Sequence, residues 1–377
     1  MPWTGALVQR GQGWLTVAVA ALLLITGCAP DQPTTPSVEE LAWTRITLAE
    51  GVAPSSLAAA GDSLLVGGRG SVGGTHPVLF HIAAGVVRPV PLHPTSPYAK
   101  VADLSSLASE GSRVFALGEA HGGAHGNFRW TAWSGSVKAL TEHPQTFETF
   151  GGISAGSLLD IVATTDGPVI VGSWSAVTGR GLDAAIWLPR GQTWQRQKSA
   201  GGALANRDEQ QVAPRAASAH GSTMTITGSV ITFADGVRQS AAIWTWPSRD
   251  AAWQLSRLPE PGDRSEALSS ACAEQCWVSG YVDGQVALWR TDPGDPVRET
   301  MLPVAPVDVD GPGPRTIVVG GRPGVLFSHA GASRLLLQEG SGWRTLTAPD
   351  GPVRDAVVIG HRLYAIVGTD LWSAELV

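Results

Sequence analysis

Lysine is nearly missing from this chain. It occurs only at positions 100, 138 and 198, and no Lys/Arg cluster breaks the sequence of 377 residues. With a mild net charge of −6 spread along the chain, the electrostatic footprint of a nucleic-acid-binding protein is absent. Three cysteines are too few for a structural zinc site. Outside the N-terminal segment no long stretch holds a 3.6-residue apolar period, which excludes a helical protein. The apolar run from Leu15 to Ile25 is too short, at about 1.5 Å per residue, to cross a hydrocarbon core of about 30 Å.

Glycine (46), proline (26) and tryptophan (15) are plentiful, and 43% of residues are hydrophobic against 15% charged. Such a chain can bury a large core and suits many short strands joined by turns. At the N-terminus, a weakly basic start precedes the apolar run, which has the length of a signal-peptide core. It ends in Ile25-Thr26-Gly27-Cys28, which resembles the bacterial lipobox of an aliphatic residue, two small residues and cysteine. That resemblance implies a lipoprotein signal peptide over 1–27, cleavage after Gly27, and acylation (palmitate among the chains) of Cys28. More than one acyl chain makes a stable membrane anchor, where one would be marginal. The expected address is the extracytoplasmic face of the cell membrane. Residues 28–41 are Pro/Thr-rich without apolar periodicity and read as a flexible tether.

Residues 42–377 repeat. DAAIWLPRGQTW at 183–194 returns as SAAIWTWPSRDAAW at 240–253. Aligned on an apolar run ending in glycine, a loop and an aliphatic–aromatic strand, the chain gives a ladder. The run-ending residues are Gly67, Gly118, Gly172, Gly228, Gly280, Ser328 and Gly368. The large residues are Phe80, Trp130, Trp187, Trp244, Trp289, Leu336 and Trp372. A period of about 40–55 residues points to propellers and arrays. Each unit begins with a small-residue strand, suited to a crowded centre, and continues with bulky strands suited to packing between blades. The last unit stops after three strands, and residues 42–49 resemble the missing fourth. The expectation is an all-β, seven-bladed β-propeller of four-stranded antiparallel blades, closed by its own N-terminal strand.

The turn around Gly191, Thr193 and Trp194, and more weakly that around Gly340 and Trp343, resembles the Asp-box of sialidase-type propellers. Trp187 and Pro189 replace its Ser and Asp in the first, Leu336 and Gln338 in the second. Sialidase-like chemistry demands an arginine triad and a Tyr nucleophile assisted by Glu, with an Asp for acid/base work. Only Tyr98, Tyr281 and Tyr364 are available. Three arginines converging on the central channel beside a Tyr–Glu pair would mark a hydrolase.

In a propeller the loops between second and third strands share a face with the blade-to-blade links. That face usually binds the ligand. The loops offer His76, Glu119, His121, His125, Trp174, Arg180, Asp183, Asp235, Arg238 and Asp283 as ligand-binding candidates. Glu119, His121 and His125 are metal-ligand types, but the glycines around them fix no geometry, so no metal or cofactor is expected. Asp308 to Gly311 hints at a calcium loop but lacks the ligand series and reads as a link. Cys272 and Cys276 flank a hairpin turn and suit a disulfide beyond the membrane, a metal or redox pair being the alternative. The recurring tryptophans read as blade packing, leaving Trp174, off the ladder, as the aromatic for ligand contact. A monomeric, non-catalytic binding module for a protein or glycan is the expectation, with a surface hydrolase or lyase as the alternative.

Overall fold

The computed structural model describes residues 38–122, 127–152, 155–176, 181–234, 236–259, 262–291, 298–300 and 302–376. Cys28, His125, Arg180 and Asp235 lie outside the described residues. Seven sheets follow one another along the chain. Blade 1 is built from Val52–Ala60, Ser63–Gly70, His76–Ala83 and Val86–Pro89. Blades 2 to 6 repeat the pattern, their first strands being Asp103–Glu110, Ser157–Thr164, Gln210–His220, Ser265–Cys272 and Arg315–Val319. Blade 7 contains Val353–Ile359, Arg362–Val367 and Asp370–Glu375, and Trp43–Ile46 adds its fourth strand antiparallel to Asp370–Glu375. The molecule is the seven-bladed propeller expected, and its ring is closed by pairing the chain's two ends, which leaves no open edge at the seam. Two short strands add to blades in parallel: Val38–Glu39 on blade 6 and Leu92–His93 on blade 2.

Seven apolar clusters fill the seven junctions between blades. Each contains one large residue of a third strand, Phe80, Trp133, Trp187, Trp244, Trp289 or Leu336, and in the cluster between blades 6 and 7 the half-buried Trp372 packs against the core. Trp187 faces Ile170 across its sheet and Trp244 faces Ile226, and by the same register Trp133 faces Ala116. Blade 2 therefore uses Trp133, fully buried, where the sequence ladder pointed to Trp130. Two tryptophans three residues apart fit the motif, and only the pairing of Gly118 with Thr131 chooses between them. An indole buries about 150–250 Å², and its N–H needs a partner once inside. Trp244 Nε1 donates to the Ala203 carbonyl (3.0 Å) and Trp289 Nε1 to that of Pro259 (2.9 Å).

The run-ending glycines have a steric cause. Six first strands carry a register shift, after Pro54, Leu104, Leu158, Pro214, Ala267 and Val353. The residue opposite is Gly68, Gly118, Gly172, Gly228, Gly280 or Val367, which moves the ladder by one position in blades 1 and 7. A Cβ on Gly228 or Gly280 would collide with the carbonyl of Ala213 or Glu266. In those blades the bulge brings backbone too close for a side chain, whereas blade 7 accommodates Val367 there.

Candidate functional site

The seven first strands surround a central channel of about 580 Å³. A hydrogen bond crosses the wall at every junction. Leu57 N donates to Asp355 Oδ2 (2.7 Å), Ser56 Oγ to the Leu104 carbonyl (2.7 Å), and Ile161 N to Ser106 Oγ (3.0 Å). Ala217 N donates to Asp160 Oδ2 (3.1 Å), the Ser218 and Ser270 hydroxyls meet at 2.7 Å, and Thr316 N donates to Ser269 Oγ (3.0 Å). Arg315 closes the belt, donating through Nε (2.8 Å) and Nη2 (2.6 Å) to the Arg354 carbonyl. Serine supplies most of these contacts. Blades 3, 4, 6 and 7 place charges beside them instead: Asp160, Arg215, Arg315, Arg354 and Asp355.

These charges stand where first strands begin, and that end of the channel is its mouth. Burial raises the Asp160 carboxyl to about 6 against hydrogen bonds from Ser106 and the Ala217 N–H, with Asp355 adding repulsion and Arg315 attraction. Asp355 is also raised by burial, opposed by Arg315 and the N–H groups of Leu57 and Ala356. Arg315, which lines the channel from blade 6, attracts carboxylates of blades 3 and 7. Arg354 donates through Nε to the Gly368 carbonyl (2.8 Å). Arg215, its side chain 53% exposed, donates through Nε to the buried Glu266 (2.7 Å).

Glu266 also accepts from Tyr281 Oη (3.2 Å) and Ser229 Oγ (3.3 Å). Three arginines thus line the channel beside a Tyr–Glu pair, the constellation that would mark a hydrolase. The chemistry of the pair differs, however. Tyr281 is 1% exposed, Arg264 lies over its ring at 5.7 Å, and neither Tyr281 nor Glu266 lines the channel. Burial and the neighbouring Glu266 push the phenol up to about 12, away from the phenolate a nucleophile requires.

Toward blade 2, just off the channel wall and next to the lining residue Ser55, stand two carboxyls. Asp103 and Glu119 face each other across two strands, and burial raises both, Asp103 adding repulsion to Glu119. Ser55, Arg69 and Arg354 moderate Asp103, and His121 moderates Glu119. Asp103 Oδ1 is nevertheless buried without a hydrogen-bond donor. Beyond Glu119 lies an aromatic apron. His121 packs on Phe128 (4.1 Å) and Phe128 on Trp130 (5.5 Å), while Arg129 lies over Tyr98 (5.8 Å) and the exposed Phe147 (5.1 Å).

Of the described loop residues singled out in the sequence, only Glu119 and His121 join this surface. Trp174 is buried, edge-on to Trp187 at 5.2 Å, and belongs to the core between blades 2 and 3. Asp183, also buried, accepts from Ser199 Oγ (2.7 Å) and Asn206 N (2.9 Å). Arg238 donates to the Gly262 carbonyl (2.9 Å), and Asp283 accepts from Arg264 N (2.9 Å). All three hold links in place. His76 Nδ1 donates to the Gly74 carbonyl (2.8 Å) and lines a separate apolar groove with Lys100. Among the described residues no three His, Cys, Asp or Glu side chains gather as metal ligands. Asp308 binds His329 (3.3 Å) and Ala330 N (3.2 Å) within the link before blade 6. Cys272 and Cys276 form the disulfide, at the end of the channel opposite the arginines. The sequence did contain a signal for the mouth. Asp160, Arg215 and Asp355 interrupt strands that are otherwise small and apolar, near the register shift where blades 1, 2 and 5 have serine, and Arg315 opens the unshifted first strand of blade 6.

No family model and no curated protein matches the chain. Solved structures match its fold. The chain is similar to YCF48 bound to D1 peptide, with a TM-score of 0.55 and 13% identity over 92% of this chain and 99% of that one. It is similar to virginiamycin B lyase from Staphylococcus aureus, with a TM-score of 0.50 and 10% identity over 90% and 99%. Trypanosoma rangeli sialidase in complex with sialic acid reaches 0.43, with 11% identity over 90% of this chain and 60% of that one.

Proposed function

We propose that the protein is a non-catalytic binding module, held on the extracytoplasmic face of the cell membrane by lipid on Cys28, and that its ligand is a protein chain. The observation that carries this is the channel mouth. Three guanidinium groups from blades 4, 6 and 7 are each tied down along one edge and present their other donors to the channel. Rigid, pre-placed donors bind without chemical work, since little side-chain freedom is lost when a ligand arrives. A peptide on a solved propeller of this fold supports the choice of ligand. No helix among the described residues is long and apolar enough to cross a membrane. The anchor is supported by the lipobox-like Ile25-Thr26-Gly27-Cys28 alone.

A photo-crosslinking residue placed at Arg69, on the mouth side, should capture a partner in cells, and one at Arg113, in the hairpin at the opposite end, should not. Capture from both positions alike would sink the assignment of the mouth. Cys28→Ser should release the protein from the membrane fraction, and unchanged retention would refute the lipid anchor. The hydrolase alternative is favoured by one observation, the Tyr281–Glu266 pair beside Arg215. Turnover of a fluorogenic sialoside that vanishes in Tyr281→Phe would establish it; none is expected while the phenol stays buried and protonated.

A further inference from the structure

We infer that the mouth recognises the C-terminus of an extended protein chain ending in a cationic residue, the terminal carboxylate on Arg215, Arg315 and Arg354 and the cationic side chain on Asp103 and Glu119. This rests on the binding-module reading above and names its ligand.

The donor side is built for a carboxylate. Among the described residues Arg215 and Arg354 donate only through Nε, and Arg315 through Nε and Nη2, which leaves both Nη groups of Arg215 and Arg354 and Nη1 of Arg315 without an acceptor there. A planar guanidinium matches a carboxylate through two parallel N–H bonds, which a lysine cannot offer. Asp160 and Asp355, although near, do not fill that role, because backbone N–H groups of neighbouring strands already occupy them. Glu266 is engaged from beneath by Arg215, Tyr281 and Ser229.

The acceptor side needs a donor from outside. A buried carboxylate oxygen without a partner is costly and calls for an explanation. Asp103 Oδ1 is such an atom, and Glu119 stands opposite it on the next strand. Arg354 acts on Asp103 from blade 7, and Ser55 of blade 1 hydrogen-bonds it. The acceptor side therefore flanks the channel beside its lining residues Ser55 and Arg354, without itself lining it. An anionic sugar or a phosphate would satisfy the arginines and leave Asp103 unmet. A terminal Lys or Arg residue supplies both charges at once.

The cavity also sets the shape of the ligand. A helix with its side chains is about 10–12 Å across, so ~580 Å³ holds only about one turn of it. The walls below the mouth carry Ser105, Ser109, Ala163, Ala219 and Ser270, which leave room for backbone and offer it hydroxyls. An extended terminus fits, and a folded element does not.

Fluorescence anisotropy on the full-length chain in detergent tests this with three labelled Gly/Ser octapeptides. One ends in Lys with a free carboxylate, one is the same peptide amidated, and one ends in norleucine with a free carboxylate. The first should bind, and each change should weaken it about ten- to hundredfold, the value of a charge-assisted hydrogen bond. Arg215→Lys and Arg354→Gln should weaken the free-acid Lys peptide by a similar factor and leave the amidated one unchanged, which separates recognition from unfolding. Arg113→Gln should change nothing. Equal affinity for either altered peptide, or no binding of the first, overturns the inference. Crosslinking from Arg69 that persists in that case keeps the binding module, whereas sialoside turnover removes both.

Discussion

Two concentric rings hold the blades together, and they do so by different physics. The middle ring is apolar: Phe80, Trp133, Trp187, Trp244, Trp289, Leu336 and Trp372 each fill a junction with buried surface. The inner ring is polar, one hydrogen bond per junction, between strands whose side chains are mostly Ser and Ala. Apolar burial is non-directional and scales with area, so the middle ring tolerates little besides large residues. A hydrogen bond across the wall needs only one suitable oxygen or nitrogen, so serine, aspartate or arginine can serve. The inner ring can therefore vary its charge while still closing. That freedom places Asp160, Arg215, Arg315 and Arg354 where they are.

The sharpest way to break this contrast is to hollow the middle ring. Trp244→Ala should cost about 3–5 kcal/mol, a large share of a typical domain's stability, read as a lower midpoint of chemical unfolding. A cost below about 1 kcal/mol would show that the middle ring is not the main source of cohesion. Next, Gly280→Ala, where the rings meet at the bulge, forces a methyl against the Glu266 carbonyl and should cost about 2–3 kcal/mol. An unchanged midpoint would mean that the bulge relaxes freely.

The smallest effect belongs to the inner ring and depends on pH. Asp160 titrates higher in the folded protein, near 6, than the ordinary carboxyl near 4, so the fold binds its proton more tightly than the unfolded chain. Its contribution is fully present below about pH 4 and is lost as pH rises through about 6. Asp160→Asn should remove that slope, about 2 kcal/mol between pH 4 and 8, with little change at the acid end. A slope identical to the unmutated protein's would place the pH response elsewhere.

The middle ring was largely legible in the sequence because its residues are large, periodic and alike. The misplaced rung at Trp130 shows the limit: strand register depends on partners that a linear pattern does not contain. The inner ring was visible only as small strands. Its charged positions interrupt those strands without a pattern of their own, while loop residues such as Trp174 and Asp183 looked functional. Both loop residues are spent inside the fold, where burial and hydrogen bonding to distant partners decide their roles.

By itself, the sequence determined that the chain would form repeated four-stranded units, that seven would close into a ring through its own ends, and that Cys272 and Cys276 would sit across one hairpin. Those outcomes follow from local chemistry: period-two patterning, turn glycines and spacing. Only the tertiary structure decided that Arg215, Arg315 and Arg354, far apart in the chain, would share one opening with Asp103 and Glu119. Ring closure gathers seven first strands around one axis, and each charge acquires its neighbours, its burial and its reach from strands that the chain has not yet made or has long passed.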